Sequence, residues 1–244
     1  MGEVAEKAEP TTRPQQLHFV LVHGIGGGAW CWYKIRTLME NSSYRVSCID
    51  LKSAGIDSSD SNSIHSFNEY NKPLIDFMSS LPETEQVILV GHSAGGLSLT
   101  QATGKFARKI RVAVYVAGTM LRAGFHTEQD VKDGVPDLSE FGDVNEFQFG
   151  LGLDKPPTSM IVKKEFQRKI IYQMSPLEDN EDVDKVPRVY IGTMHDNVIK
   201  PEQQEAMIKK WPPAETYFLD SDHSPFFSST FSLFGLLVKI SASF

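Results

Sequence analysis

The stretch Val87–Thr100, VILVGHSAGGLSLT, constrains this chain more than any other. It opens as an apolar run, Val87-Ile88-Leu89-Val90. It breaks at Gly91-His92-Ser93-Ala94-Gly95-Gly96 and resumes as a helical pattern, Leu97-Ser98-Leu99-Thr100-Gln101-Ala102. Strand, sharp turn and helix in that order put Ser93 on a strained turn at the carboxyl end of a buried strand. Gly91 and Gly95 remove the Cβ atoms that would clash in so tight a turn. The turn lifts Ser93 Oγ clear of the backbone. It leaves the N–H of Ala94 at a helix N-terminus, facing any negative charge that develops there. The pattern predicts a nucleophilic serine; a Gly-rich strand-to-helix connection without chemistry is the alternative.

With 244 residues, 41% hydrophobic and 23% charged, the chain fits one large α/β domain whose core needs no covalent staple. A formal net charge of −7 offers no basic footprint for nucleic acid. The apolar stretch Phe231–Ile240 is too short and too interrupted to span a membrane. Cys31 and Cys48 sit in core-like contexts and read as reduced, which suits a cytoplasmic compartment. Residues 1–16 are polar and Pro-punctuated and predict a disordered tail with no secretory signal. No His/Cys cluster has metal-ligand spacing, so neither a metal nor another cofactor is expected.

Along the chain, Leu17–Val22 reads as a doubly covered strand, followed by His23-Gly24-Ile25-Gly26-Gly27-Gly28 and a helix over Ala29–Glu40. Arg45–Leu51 is the next strand, Lys52–Ser63 a Ser/Asp-rich loop and Phe67–Leu81 a helix. Arg111–Val116 is the fourth strand. This alternation predicts a parallel sheet. It stops at Thr119 and resumes with a strand at Arg188–Gly192, a helix at Pro201–Trp211, a strand at Glu215–Leu219 and a helix at Ser228–Ile240. The expected class is α/β, a mostly parallel sheet of about six strands with helices on both faces. Residues 17–118 and 186–244 form the core. Residues 119–185, with one helical run at Val162–Met174, are too long for a loop and form an inserted cap.

Ligands bind beyond the carboxyl ends of strands in such sheets. Four features fall there: His23-Gly24-Ile25, Ser93, Thr193-Met194-His195-Asp196 and Ser221-Asp222-His223-Ser224. A serine hydroxyl needs a base beside its own proton, and a neutral imidazole supplies one. A carboxylate then fixes the imidazole tautomer. The order serine, acid, histidine is that of many hydrolases. Ser93 is therefore assigned as nucleophile, His223 as base and Asp196 as the orienting carboxylate. Asp222 is the rival carboxylate, and His195 is expected to be exposed. His92 reads as a packing residue beside the site rather than a second base. The backbone N–H groups of Ile25 and Ala94 form the expected oxyanion hole. Phe147, Phe149 and Leu151 are candidates for an apolar substrate lining, or for cap core, with Gly24 and His92 also adjoining substrate. Gly24-Ile25-Gly26 with Asp50 about twenty residues on imitates a dinucleotide fingerprint, but the fingerprint is incomplete and the triad outweighs it.

With these residues in view, the chain resembles the plant methylesterase group of α/β-hydrolases, relatives of salicylate-binding esterases and hydroxynitrile lyases. The matches are FVLVHG and GAWCWYK within Phe19–Lys34, CIDLKSAGIDSSD at Cys48–Asp60, VILVGHSAGGLSL at Val87–Leu99, and KPEQQEAMIKKWPP with SDHSPFF within Lys200–Phe227. The resemblance is greatest to the subgroup associated with methyl indole-3-acetate. It implies the α/β-hydrolase fold and a carboxylesterase that releases methanol and a free acid from small methyl esters. It implies the same triad, Ser93, Asp196 and His223, and the same oxyanion positions. The lyases carry threonine where Gly24 sits and lysine where Ser224 sits, so their absence favours hydrolysis. The expected partner is a small methyl ester, without nucleic acid or membrane, and a homodimer is compatible with these features. A non-hydrolytic binding protein or a lyase-like relative is the alternative.

One departure from the group is the short, acidic segment Leu177–Pro187 ahead of the fifth strand of the core. It predicts a more open acyl pocket and apolar side chains left exposed around Val189 and Ile191.

Overall fold

The computed structural model describes residues 16–125, 127–135, 145–148, 152, 159–162 and 183–244. Six parallel strands form one sheet: β1 (His18–Val22), β2 (Arg45–Ile49), β3 (Val87–His92), β4 (Ile110–Val116), β7 (Arg188–Thr193) and β8 (Glu215–Leu219). They lie in the order β2-β1-β3-β4-β7-β8. Between β4 and β7 the chain forms a separate antiparallel pair, β5 (Asn145–Gln148) and β6 (Ser159–Val162). The helices are α1 (Tyr33–Asn41), α2 (Phe67–Ser80), α3 (Gly95–Phe106), α4 (Glu128–Gly134), α5 (Pro201–Lys210), α6 (Pro225–Ser228) and α7 (Thr230–Ser243).

Strict alternation along the strands divides the core into two layers. Phe19 and Leu21 of β1, Val112, Val114 and Val116 of β4, and Val189 and Ile191 of β7 join Ile35 and Met39 of α1 and Leu233, Leu237 and Ile240 of α7. Val20 and Val22, Ala113 and Tyr115, and Tyr190 point the other way. They meet Leu74 and Met78 of α2, Leu99 and Ala102 of α3, and Trp211 just after α5. The four inner strands are buried throughout or nearly so, while the edge strands β2 and β8 are half open. That difference explains why β1 and β3 read as apolar runs.

The order of the strands places the site. β1 is followed by α1 on one face and β3 by α3 on the other. The connections leaving β1 and β3 diverge, and a crevice opens between the carboxyl ends of two adjacent strands.

Four expectations are corrected. Val189 and Ile191 are both fully buried, so the fifth core strand is not uncovered. The cover comes from α7, whose Leu233, Leu237 and Ile240 stand at i, i+4 and i+7 and pack over that face. Sequence reasoning sought the cover in the segment just before the strand, but it arrives from the far end of the chain. Val162 ends strand β6 instead of opening a helix, its segment being paired with Asn145–Gln148. The helix expected over Ala29–Glu40 begins as a 3₁₀ turn, Ala29–Trp32, before α1. The final helix is two, α6 opening at Pro225 and α7 at Thr230. The tail residues 1–15, the rest of the expected helix (163–174) and most of the short acidic segment lie outside the described residues.

Candidate active site

Ser93 is held at φ +53°, a left-handed conformation that costs a non-glycine residue about 1–2 kcal/mol. The surrounding backbone over-determines it. Ser93 N–H donates to the Val116 carbonyl at 3.2 Å, and the Ser93 carbonyl accepts from Gly96 N–H and Thr119 N–H, both at 3.0 Å. The turn also packs against the end of β1. A Cβ on Gly95 would lie 2.6 Å from the His23 carbonyl oxygen, so no larger residue fits without displacing one of the two loops.

Asp196 lies in the turn after β7, 2% exposed. Its Oδ1 accepts from Val198 N–H at 2.8 Å and Ile199 N–H at 2.9 Å. Its Oδ2 accepts from Thr193 Oγ1 at 2.9 Å, from Gln204 Nε2 at 3.4 Å and from His223 Nδ1 at 2.8 Å. Buried charges persist only when satisfied in this way. A carboxylate can only accept, so in the neutral tautomer the His223 proton resides on Nδ1 and Nε2 is the acceptor. Among the described residues neither His223 Nε2 nor Ser93 Oγ has a hydrogen-bond partner. Such contacts are often long without substrate and tighten when it binds.

His92, beside Ser93, donates from Nε2 to the His223 carbonyl at 2.6 Å, and their ring centroids are 4.7 Å apart. Burial, reinforced by the neighbouring His223, pushes its pKa down to about 3. A neutral ring packed edge-on to Phe226 and Trp32 is a bracket for the His223 loop and not a second base.

On the opposite wall, the loop after β1 carries Ile25. His23 is buried and neutral, burial lowering its pKa. Its Nδ1 donates to the Gly24 carbonyl at 2.6 Å and its Nε2 accepts from Leu51 N–H at 3.1 Å. Among the described residues no acceptor takes the N–H of Ile25 or of Ala94. Gly24 lies against Ser93, since a Cβ there would fall 2.8 Å from Ser93 Cβ. A branched side chain at this position requires a rearranged site.

The remaining sequence candidates sort clearly. His195 is exposed and pairs with Asp220 at 2.6 Å. Asp222 is exposed and accepts from Ser224 N–H, at the start of α6, and from Ser228 Oγ, at its end. Phe147 lies on β5, and Phe149 and Leu151 fall outside the described residues. The cysteines are free, with burial raising Cys31 to about 12 and Cys48 to about 11, so neither offers a thiolate near neutrality. Among the described residues no three His, Cys, Asp or Glu side chains are placed to hold a metal ion. Nor is any helix there long and apolar enough to cross a membrane.

Sequence reasoning missed Gln204. Its Oε1 accepts from Thr193 N–H at 3.0 Å, and its Nε2 donates to the Ile199 carbonyl at 2.7 Å, binding the two ends of the Asp196 turn to α5. The available signal was a glutamine on the apolar side of the helix, at helical spacing from Met207.

Residues 19–231 match the alpha/beta hydrolase family. The chain is 54% identical to methylesterase 17 of Arabidopsis thaliana, over 96% of this chain and 94% of that one. The chain belongs to the alpha/beta hydrolase family, in its plant methylesterase group. The hydrolase is also 40% identical to the pheophorbidase of Raphanus sativus, over 91% of this chain and 93% of that one. It superimposes on the crystal structure of the Arabidopsis methylesterase MES16 with a TM-score of 0.80 at 38% identity, covering 93% of this chain and 100% of that one. It is a carboxylic ester hydrolase by this kinship. Its alignment with methylesterase 17 runs to 262 positions against 244 residues here, so part of that relative has no counterpart in this chain.

Proposed function

We propose that this hydrolase cleaves methyl esters of small carboxylic acids, aryl-acetate esters of the methyl indole-3-acetate kind among them, through an acyl-enzyme on Ser93. Ser93 Oγ attacks the ester carbonyl carbon while His223 Nε2 takes its proton. The carbonyl oxygen, now negative, accepts from the N–H groups of Ile25 and Ala94. The carbon–oxygen bond to the methoxy group breaks, and His223 returns the proton to it as methanol leaves. Water, deprotonated by the same nitrogen, releases the acid and restores Ser93. The observation that carries this reading is the 2.8 Å bond from His223 Nδ1 to a buried, fully engaged Asp196, which fixes the neutral ring's proton on Nδ1 and makes Nε2 the acceptor.

Names of the relatives support the methyl ester as substrate class. Unpaired cysteines at Cys31 and Cys48 support a reducing, cytoplasmic setting. The test is a panel of methyl esters of indole-3-acetate, jasmonate, salicylate and a bulky alkaloid acid, with methanol and free acid followed by mass spectrometry. Turnover by the wild type that vanishes in Ser93→Ala is expected. Saturable binding of these esters by a folded wild type that releases no methanol would overturn the hydrolytic reading.

A further inference from the structure

The Gly-rich loop that carries Ile25 is fastened from outside the triad, by the strand next to it. The parallel register sets Val22 of β1 beside Ile49 of β2, so residues 50 and 51 leave the sheet alongside residues 23 and 24. Leu51 N–H donates to His23 Nε2 at 3.1 Å, fixing the loop where it begins. Asp50 Oδ1 accepts from Ala29 N–H at 2.7 Å, fixing it where it ends, at the first residue of the 3₁₀ turn. Two consecutive residues just past the end of β2 thus pin both ends of a loop whose middle presents Ile25 N–H to the site.

The carboxylate occupies a slot made for it. A Cβ on Gly28 would fall 2.9 Å from Asp50 Oδ1, and one on Gly55, at φ +61°, only 1.6 Å away. Both flanking positions are glycine, and the oxygen reaches Ala29 only because they are. An anion at the start of the 3₁₀ turn that leads into α1 is also favoured by the peptide dipoles there. The glycines and the acid about twenty residues on, which imitate a dinucleotide fingerprint in the sequence, are here a glycine loop and the carboxylate that holds it.

We infer that Asp50 is a positioning residue for ester hydrolysis: by fixing Ala29, it keeps the loop tensioned so that Ile25 N–H points to where the tetrahedral oxygen forms. This rests on the reading of Ser93 as nucleophile. An oxyanion donor acts mainly in the transition state, so its misplacement lowers kcat more than it raises KM. Losing one such donor outright costs about 10²–10³ in kcat, and loosening the loop should cost somewhat less.

The experiment compares wild type, Asp50→Ala, Asp50→Asn and Asp50→Glu. Hydrolysis of p-nitrophenyl acetate, an activated ester that makes little demand on an acyl pocket, is measured alongside hydrogen exchange of the peptide covering residues 23–31. Asp50→Ala should lower kcat about 10–100-fold with KM within about threefold, and speed exchange in that peptide. Asp50→Asn keeps an acceptor oxygen and should recover most of both. Asp50→Glu keeps the charge but is too long for the glycine slot and should behave like Asp50→Ala, which covers the case of an alanine variant that does not fold. Unchanged kcat in Asp50→Ala and Asp50→Glu, a rise in KM alone, unaltered exchange, or an Asp50→Asn as impaired as Asp50→Ala would each overturn the assignment. A wild type that hydrolyses nothing sinks the Ser93 reading instead, while hydrogen exchange still reports whether Asp50 holds the loop.

Discussion

At the scale of single residues, Ser93 combines two demands that oppose each other. Its left-handed backbone suits glycine, and its proposed chemistry requires a hydroxyl. Ser93→Ala should keep the fold and lower kcat by about 10⁵–10⁶, as for nucleophiles that act within a triad. Ser93→Gly should be equally inactive and melt a few degrees higher, since relief of about 1 kcal/mol raises the Tm of a domain this size by about 2–4 °C. Thermal unfolding of the two variants side by side separates strain from chemistry. Asp196→Asn should retain the acceptor for Val198 and Ile199 but favour the wrong imidazole tautomer, lowering kcat by about 10⁴. A pH–rate profile of that variant checks it. The pairing of His223 with Asp196 was readable because both follow strand ends in a recognisable order. Choosing Asp196 over Asp222 is a matter of direction: the first turns inward onto His223 and the second outward onto Ser224 and Ser228. His23 and His92 could be seen in the sequence as neighbours of the site, but not as proton-locked brackets, because that depends on which carbonyl and which N–H the fold brings to each ring nitrogen.

At the scale of elements, the site stands on turns fastened by their neighbours. Gln204 reaches back from α5 to the turn that holds Asp196. Gln204→Ala would orphan Thr193 N–H and the Ile199 carbonyl and should cost about 1–3 kcal/mol, with kcat lowered as the Asp196 turn loosens. Urea unfolding together with a kcat and KM measurement distinguishes this from a purely stabilising role. The apolar strands of the sheet were legible from their unbroken runs. The covering of β7 was not, because Val189 and Ile191 are adjacent to α7 only in space. Leu237→Ala should create a cavity beneath that helix and cost about 2–5 kcal/mol, visible as a lower urea midpoint with the slope unchanged.

Across the whole molecule, three buried histidines tie stability to pH. His18, His23 and His92 all have their pKa lowered, burial being the leading cause in each. When they are exposed by unfolding their affinity for protons returns, so in acid the unfolded chain binds more protons than the folded one. Stability from these groups is complete above about pH 6.5 and falls with pH below it, by about 1.4 kcal/mol per pH unit for each group still neutral when folded. For His92, neutral down to about pH 3, the loss between pH 6.5 and pH 5 is about 2 kcal/mol. Urea midpoints measured across that range should fall in the wild type and flatten in His92→Gln. The arrangement of the sheet has another consequence. The four strands made first, β1 to β4, are contiguous in it, and β7 and then β8 extend it from one edge in the order in which they are synthesised. A chain emerging from the ribosome can therefore assemble the serine and its glycine loop while acid and base are still unmade. On the proposed mechanism a phosphonate ester should label the full-length chain and not one that stops before β7, which mass spectrometry of the two checks.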